Sequence, residues 1–120
     1  NIKVNSFKQE GSTNNIENNA SIINGATSSL SADISNMREC NIIVEDTSTA
    51  SFDGYDVEIS GDSGTTYFTI NNLYPVLNGA GTKRFAYASL NVGGLDLIRI
   101  RNTSSTDTYT NVNASVFGSP

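Results

Sequence analysis

The chain has 120 residues, a net charge of −5 and a sequence pI near 4.4, with no histidine and one cysteine. One domain of this size can bury a single core without disulfide staples. The acidic balance excludes a phosphate-binding basic face, and no apolar run approaches the ~20 residues of a membrane-spanning helix, so neither nucleic acid nor membrane is expected as a partner.

Residues 1–27 differ from the rest. Ile2 and Val4 alternate with polar residues, Phe7 follows, and a Gly/Ser/Asn-rich stretch runs around Gly11 to Asn15. This tract reads as an N-terminal arm: a first strand or extended segment, a flexible joint, then a strand at Ala20–Ile23; an ordinary frayed terminus is the alternative. It has too few apolar residues for a core of its own. Residues 28–120 read as the folded domain.

From residue 28 onward, period-2 patterns recur between turn residues. Leu30, Ala32 and Ile34 alternate first. Cys40–Val44 is a short apolar strand, and Tyr55, Val57 and Ile59 alternate with Asp56 and Glu58. The SGDSG turn leads into TTYFTI, the strongest hairpin signal in the chain. Pro75 restricts its neighbourhood to an edge or a non-strand segment. Turns follow at Asn78-Gly79 with Gly81 and at Gly93-Gly94. Between and beyond them Phe85 and Tyr87 alternate with Ala86 and Ala88, and Ile98 and Ile100 alternate with Leu97, Arg99 and Arg101. Val112, Ala114 and Val116 share a face in the last strand. About eight short strands without a 3.6-residue period predict an all-β protein, an antiparallel β-sandwich or jelly roll with an extended N-terminal arm. A β-barrel is the alternative.

Catalytic chemistry finds little to work with. The lack of histidine removes the common triads and the usual general base, and no Gly-rich loop leads into a helix. Paired carboxylates need a cleft to face each other across, and a sandwich without long loops offers little. Asp53, Asp56 and Asp62 could present oxygens to calcium, but their spacing fits no calcium-loop motif. No catalytic residue, cofactor or metal site is expected, and the protein is read as non-enzymatic. Cys40 reads as a buried thiol on a strand. Tyr67, Tyr74, Tyr87 and Tyr109 are available to a sugar-binding face, although strand tyrosines are mostly packing residues.

Charge is segregated along the chain. Seven acids lie between Glu39 and Asp62 with no cation among them, and Lys83, Arg84, Arg99 and Arg101 follow with Asp96 as the one acid between them. Pairing between neighbouring strands is the first explanation; a second is attraction between patches on identical subunits. On the second, Arg99 and Arg101 form a docking stripe.

The closing stretch LDLIRIRNTSSTDTYTNVNASVFGSP resembles the last two strands of jelly-roll modules. It is also similar to small structural proteins that decorate or cement the capsids of tailed bacteriophages, as are the Asn/Ser/Thr/Gly-rich composition, the lone cysteine and the polar N-terminal arm. That resemblance implies a virion structural protein on the capsid surface, a homo-oligomer whose partners are the major capsid protein or identical subunits. The interface residues would be Ile2, Val4 and Phe7 in the arm and Arg99 and Arg101 on the sandwich. A carbohydrate-binding module or extracellular adhesin is the alternative; galactose-binding-like modules share the Ile-Arg-Ile strand before a final strand.

Overall fold

The computed structural model describes residues 13–48 and 53–119. Nine strands follow in chain order: β1 (Thr13–Ile22), β2 (Ala32–Asp33), β3 (Glu39–Asp46), β4 (Tyr55–Ser60), β5 (Phe68–Leu73), β6 (Val76–Leu77), β7 (Arg84–Asn91), β8 (Leu97–Asn102) and β9 (Tyr109–Ser119). They form two antiparallel sheets, one ordered β1-β9-β3-β7-β6 and the other β2-β8-β4-β5. The fold is the expected all-β sandwich.

Alternation fixes which side chains meet between the sheets. From the five-stranded sheet, Cys40, Ile42 and Val44 of β3 and Val112, Ala114 and Val116 of β9 point inward. Tyr55, Val57 and Ile59 of β4 and Ile98 and Ile100 of β8 face them from the other sheet. Each buried aliphatic side chain contributes about 1.5–3 kcal/mol relative to exposure, so this double layer is the main source of stability.

Two features depart from the expected pattern. The first strand is not confined to 20–23: it begins at Thr13 and pairs with β9 as far as Tyr109. Pairing along this length buries Ile16 and Ile22 in the core, so two inward isoleucines suffice where a self-contained core was not legible. Three register shifts interrupt the ladder, and Asn19 and Asn111 take positive φ values of 50° beside them. Asparagine tolerates that left-handed conformation better than most residues. The Asn113 side chain accepts the Asn19 amide at 2.9 Å, and Asn111 Nδ2 donates to Asn19 Oδ1 at 3.1 Å. The anchors Ile2, Val4 and Phe7 lie outside the described residues.

The second departure concerns faces. Ala32 and Ile34 enter the core as their alternation implies, but Leu30 is exposed. In β7 the large side chains Phe85 and Tyr87 point outward while Arg84 and Ala86 are buried. β6 is two residues long, directly after Pro75, as an edge. The β6–β7 turn is closed by Asn78, whose Oδ1 accepts the amides of Thr82 and Lys83 at 2.8 and 3.2 Å.

Candidate functional site

The charge segregation is resolved inside the fold. Antiparallel pairing sets β3 beside β7 and β4 beside β8, which brings the acids of 39–62 to the cations of 83–101. Lys83 reaches Glu45 at 3.6 Å at the surface, and Arg84 meets Asp46 at 2.8 Å. On the outer face of the four-stranded sheet, Glu58 is directly opposite Arg99 and Asp56 is opposite Arg101. Arg99 Nε donates to Glu58 Oε1 at 2.8 Å, and Arg101 Nη2 lies 2.8 Å from Glu58 Oε2 and 3.5 Å from Asp56 Oδ2.

Arg99 and Arg101 therefore point outward, as the alternation requires, but both are engaged by their own chain. The Arg99 guanidinium also lies 3.6 Å above the Tyr67 ring, and the Tyr67 hydroxyl is 2.8 Å from Ser31 Oγ. Cross-strand pairs at partly exposed positions contribute about 0.2–1 kcal/mol each. Their first effect is to hold the register of β4 on β8.

The buried polar cluster at one end of the sandwich is the feature that sequence reading misses. Arg84 and Asp46 are each 1 % exposed in their side chains. Arg84 Nε and Nη2 donate to the two Asp46 oxygens at 2.8 Å each, a bidentate pair. Arg84 Nη1 donates to the Asp53 carbonyl at 2.7 Å, and the Tyr55 hydroxyl donates to Asp46 Oδ2. The Tyr109 ring lies 4.6 Å below the guanidinium and packs edge-on to Tyr55 at 5.0 Å. Burial, and then the Asp46 hydrogen bond, push the Tyr55 hydroxyl far above its ordinary value, so it stays a donor. Burial alone would lower Arg84, but the bond to Asp46 and its charge outweigh that and raise it. A signal was present for Asp46, which has the parity of Ile42 and Val44, but none for Arg84, whose strand carries its large apolar residues on the other parity.

The carboxylates considered for calcium are dispersed. Asp56 is on the outer face with Asn72, whose Nδ2 donates to it at 2.6 Å. Asp62 caps its own turn: its carboxyl is held below the ordinary value by the Thr66 backbone N–H at 2.8 Å and by the Ser60 hydroxyl at 2.8 Å. Cys40 is buried in the core face of β3, and burial pushes its thiol up to about 11.

Of the four tyrosines considered for a sugar face, Tyr109 is in the core and Tyr67 is under Arg99. Tyr74 and Tyr87 remain open to solvent, at 72 % and 67 %. They belong to a wider apolar strip. Val76 is paired with Phe85 across β6 and β7, the Phe85 and Tyr87 rings are 6.0 Å apart, and Phe68 and Ile70 of β5 are exposed as well. A groove of about 330 Å³ lies between Asn71–Tyr74 on one side and Phe85–Ala88 on the other. Exposed apolar side chains gathered around a groove, as Tyr74, Val76, Phe85 and Tyr87 are, mark contact sites.

No protein-family model matches the chain, and a search of curated proteins returns no match. Among solved structures it is similar to the Eiger TNF of S. frugiperda, at 8 % identity and a TM-score of 0.54, over 92 % of this chain and 88 % of that one. It is also similar to the K1 cleaved adhesin domain of Lys-gingipain from Porphyromonas gingivalis W83, at 16 % identity and a TM-score of 0.46, over 80 % and 65 % of the two chains. A third is a pentameric capsid protein from metagenomic phage sequences, at 13 % identity and a TM-score of 0.33, over 85 % and 58 %. The first likeness concerns the fold alone, and the two antiparallel sheets make the chain a β-sandwich of the jelly-roll kind.

Proposed function

We propose that the chain is a non-enzymatic structural subunit of a virion shell, a capsid decoration or cement protein that acts through contacts between identical subunits and with the major capsid protein. The observation that carries this reading is the concentration of exposed large apolar side chains on β5, β6 and β7. Burial of such a strip across a junction supplies adhesion without chemistry. The Asn/Ser/Thr-rich surface suits a protein that stays soluble until it docks. The arm residues Ile2, Val4 and Phe7 are the second contact element in this reading. Arg99 and Arg101 are already paired within the chain, on the outer face of β8.

The test is co-sedimentation with assembled phage shells. The full chain is expected to sediment with them, and Phe85→Asp with Tyr87→Asp to weaken that binding at least tenfold. Equal binding by the double variant would overturn the reading. A second reading, an extracellular carbohydrate-binding adhesin, is favoured by the open rings of Tyr74 and Tyr87 beside Asn71 and Asn72. It predicts hits on a glycan array that Tyr87→Ala abolishes.

A further inference from the structure

Sheet edges carry unpaired backbone groups, and proteins guard them with bulges, charges, proline or shortness. Most edges here are guarded. The ladder of β1 shifts register three times, β2 and β6 are two residues each, and a bulge at Ile70 interrupts β5 opposite β4. β7 differs. It pairs with β3 over eight residues without a shift, whereas β6 covers only Arg84 and Phe85 on its other side. Residues 86–91, Ala-Tyr-Ala-Ser-Leu-Asn, thus have no strand partner on their outer side among the described residues, and this edge holds no charge, proline or bulge. The groove beside Ala86 and Ala88 adjoins this edge.

We propose that this edge is a receptor for strand addition, and that its occupant is residues 2–7 of a second copy of the chain. The inference rests on the arm-contact reading above and names the place where the arm docks. Twelve residues precede Thr13, and over residues 2–5 Ile2 and Val4 alternate with Lys3 and Asn5 as an added strand requires. Ile2 and Val4 fill the groove beside the small side chains of Ala86 and Ala88, and Lys3 and Asn5 share the solvent face with Tyr87.

Geometry selects a second copy over the chain's own arm. In the sheet, β9 and β3 stand between β1 and β7. A strand added outside β7 is four strand spacings from β1, about 19 Å. Residues 8–12 link Phe7 to Thr13 and span at most about 20 Å when fully extended. That leaves no slack to pass over Phe117, Asn41 and Ser89, which share one register row and are all exposed. A neighbouring copy has no such constraint.

Hydrogen–deuterium exchange on the full chain at low and high micromolar concentration tests this. Amides in 2–7 and in 86–91 are expected to slow together, at least tenfold, as concentration rises. Val4→Pro, which removes a groove-filling valine and fixes φ away from the extended value, should abolish both effects while the β1–β9 amides stay protected. Protection independent of concentration would mean that the arm folds back on its own sheet, and it would overturn the proposal. So would protection of one segment without the other, or of neither. Should Val4→Pro abolish shell binding while 86–91 exchanges unchanged, the arm contact stands and this receptor falls. Should Val4→Pro leave shell binding intact, the arm-contact reading falls, and the exchange data still decide this one.

Discussion

Arg84 and Asp46 form a two-bond ion pair sealed inside the sandwich, with Nε and Nη2 each 2.8 Å from a carboxylate oxygen. Pairs of this kind cost desolvation, and their net contribution over an apolar pair is small or negative. Breaking one is another matter. Asp46→Asn leaves the guanidinium buried without its counter-charge, and we expect a loss of about 3–5 kcal/mol, read as the shift of the urea midpoint. Asp46→Leu with Arg84→Met should cost less than either single change, because it removes both charges.

Tyr55→Phe isolates one bond of the same cluster. Its hydroxyl donates to the Asp46 carboxylate, and a hydrogen bond to a charged group contributes about 1.5–3 kcal/mol. A loss in that range, with the fold intact by circular dichroism, is expected. The same change in Asp46→Asn should cost less, since the acceptor is no longer charged.

Gly54 permits a close backbone approach. A Cβ there would stand 1.9 Å from the Leu73 carbonyl oxygen, and the Gly54 carbonyl itself accepts from the Tyr109 hydroxyl at 2.9 Å and the Thr103 amide at 3.2 Å. The obstacle is backbone, which cannot rotate away. Gly54→Ala should cost about 2–4 kcal/mol by the same measurement, against under 1 kcal/mol for Gly79→Ala, where nothing lies within 4 Å.

Burial holds the Cys40 thiol at about 11 against an ordinary 9.0. The unfolded chain therefore loses this proton first. Its contribution to stability is whole below about pH 9 and fades as pH rises toward 11. Urea midpoints of the wild type should fall over that window more steeply than those of Cys40→Ala. In native protein at neutral pH the thiol should resist alkylation, and it should react once denaturant exposes it.

The strands were legible because each has one apolar parity: Ile98 and Ile100 point inward and Arg99 and Arg101 outward, as their alternation demands. The charge segregation was legible as strand pairing for the same reason, since the outward parity of β4 is acidic (Asp56, Glu58) and that of β8 is basic (Arg99, Arg101). β7 was opaque. Its inward positions are Arg84, Ala86 and Ala88, and its outward ones are aromatic, so hydrophobicity pointed to the wrong face. What inverts it is a long-range pairing of Arg84 with Asp46, 38 residues away, which no local pattern carries. The open β7 edge was equally invisible, because it depends on how short β6 is.

In the strand-addition proposal, the arm of one copy joins the β7 edge of another. Sedimentation velocity on two full-length variants tests it most directly: Val4→Pro keeps the edge and spoils the arm, and Tyr87→Lys does the reverse. Each alone should stay monomeric, while an equimolar mixture should form a dimer and stop there, because the contact is head-to-tail and only one is possible. Assembly of either variant as in the wild type, or a mixture that stays monomeric, would contradict it.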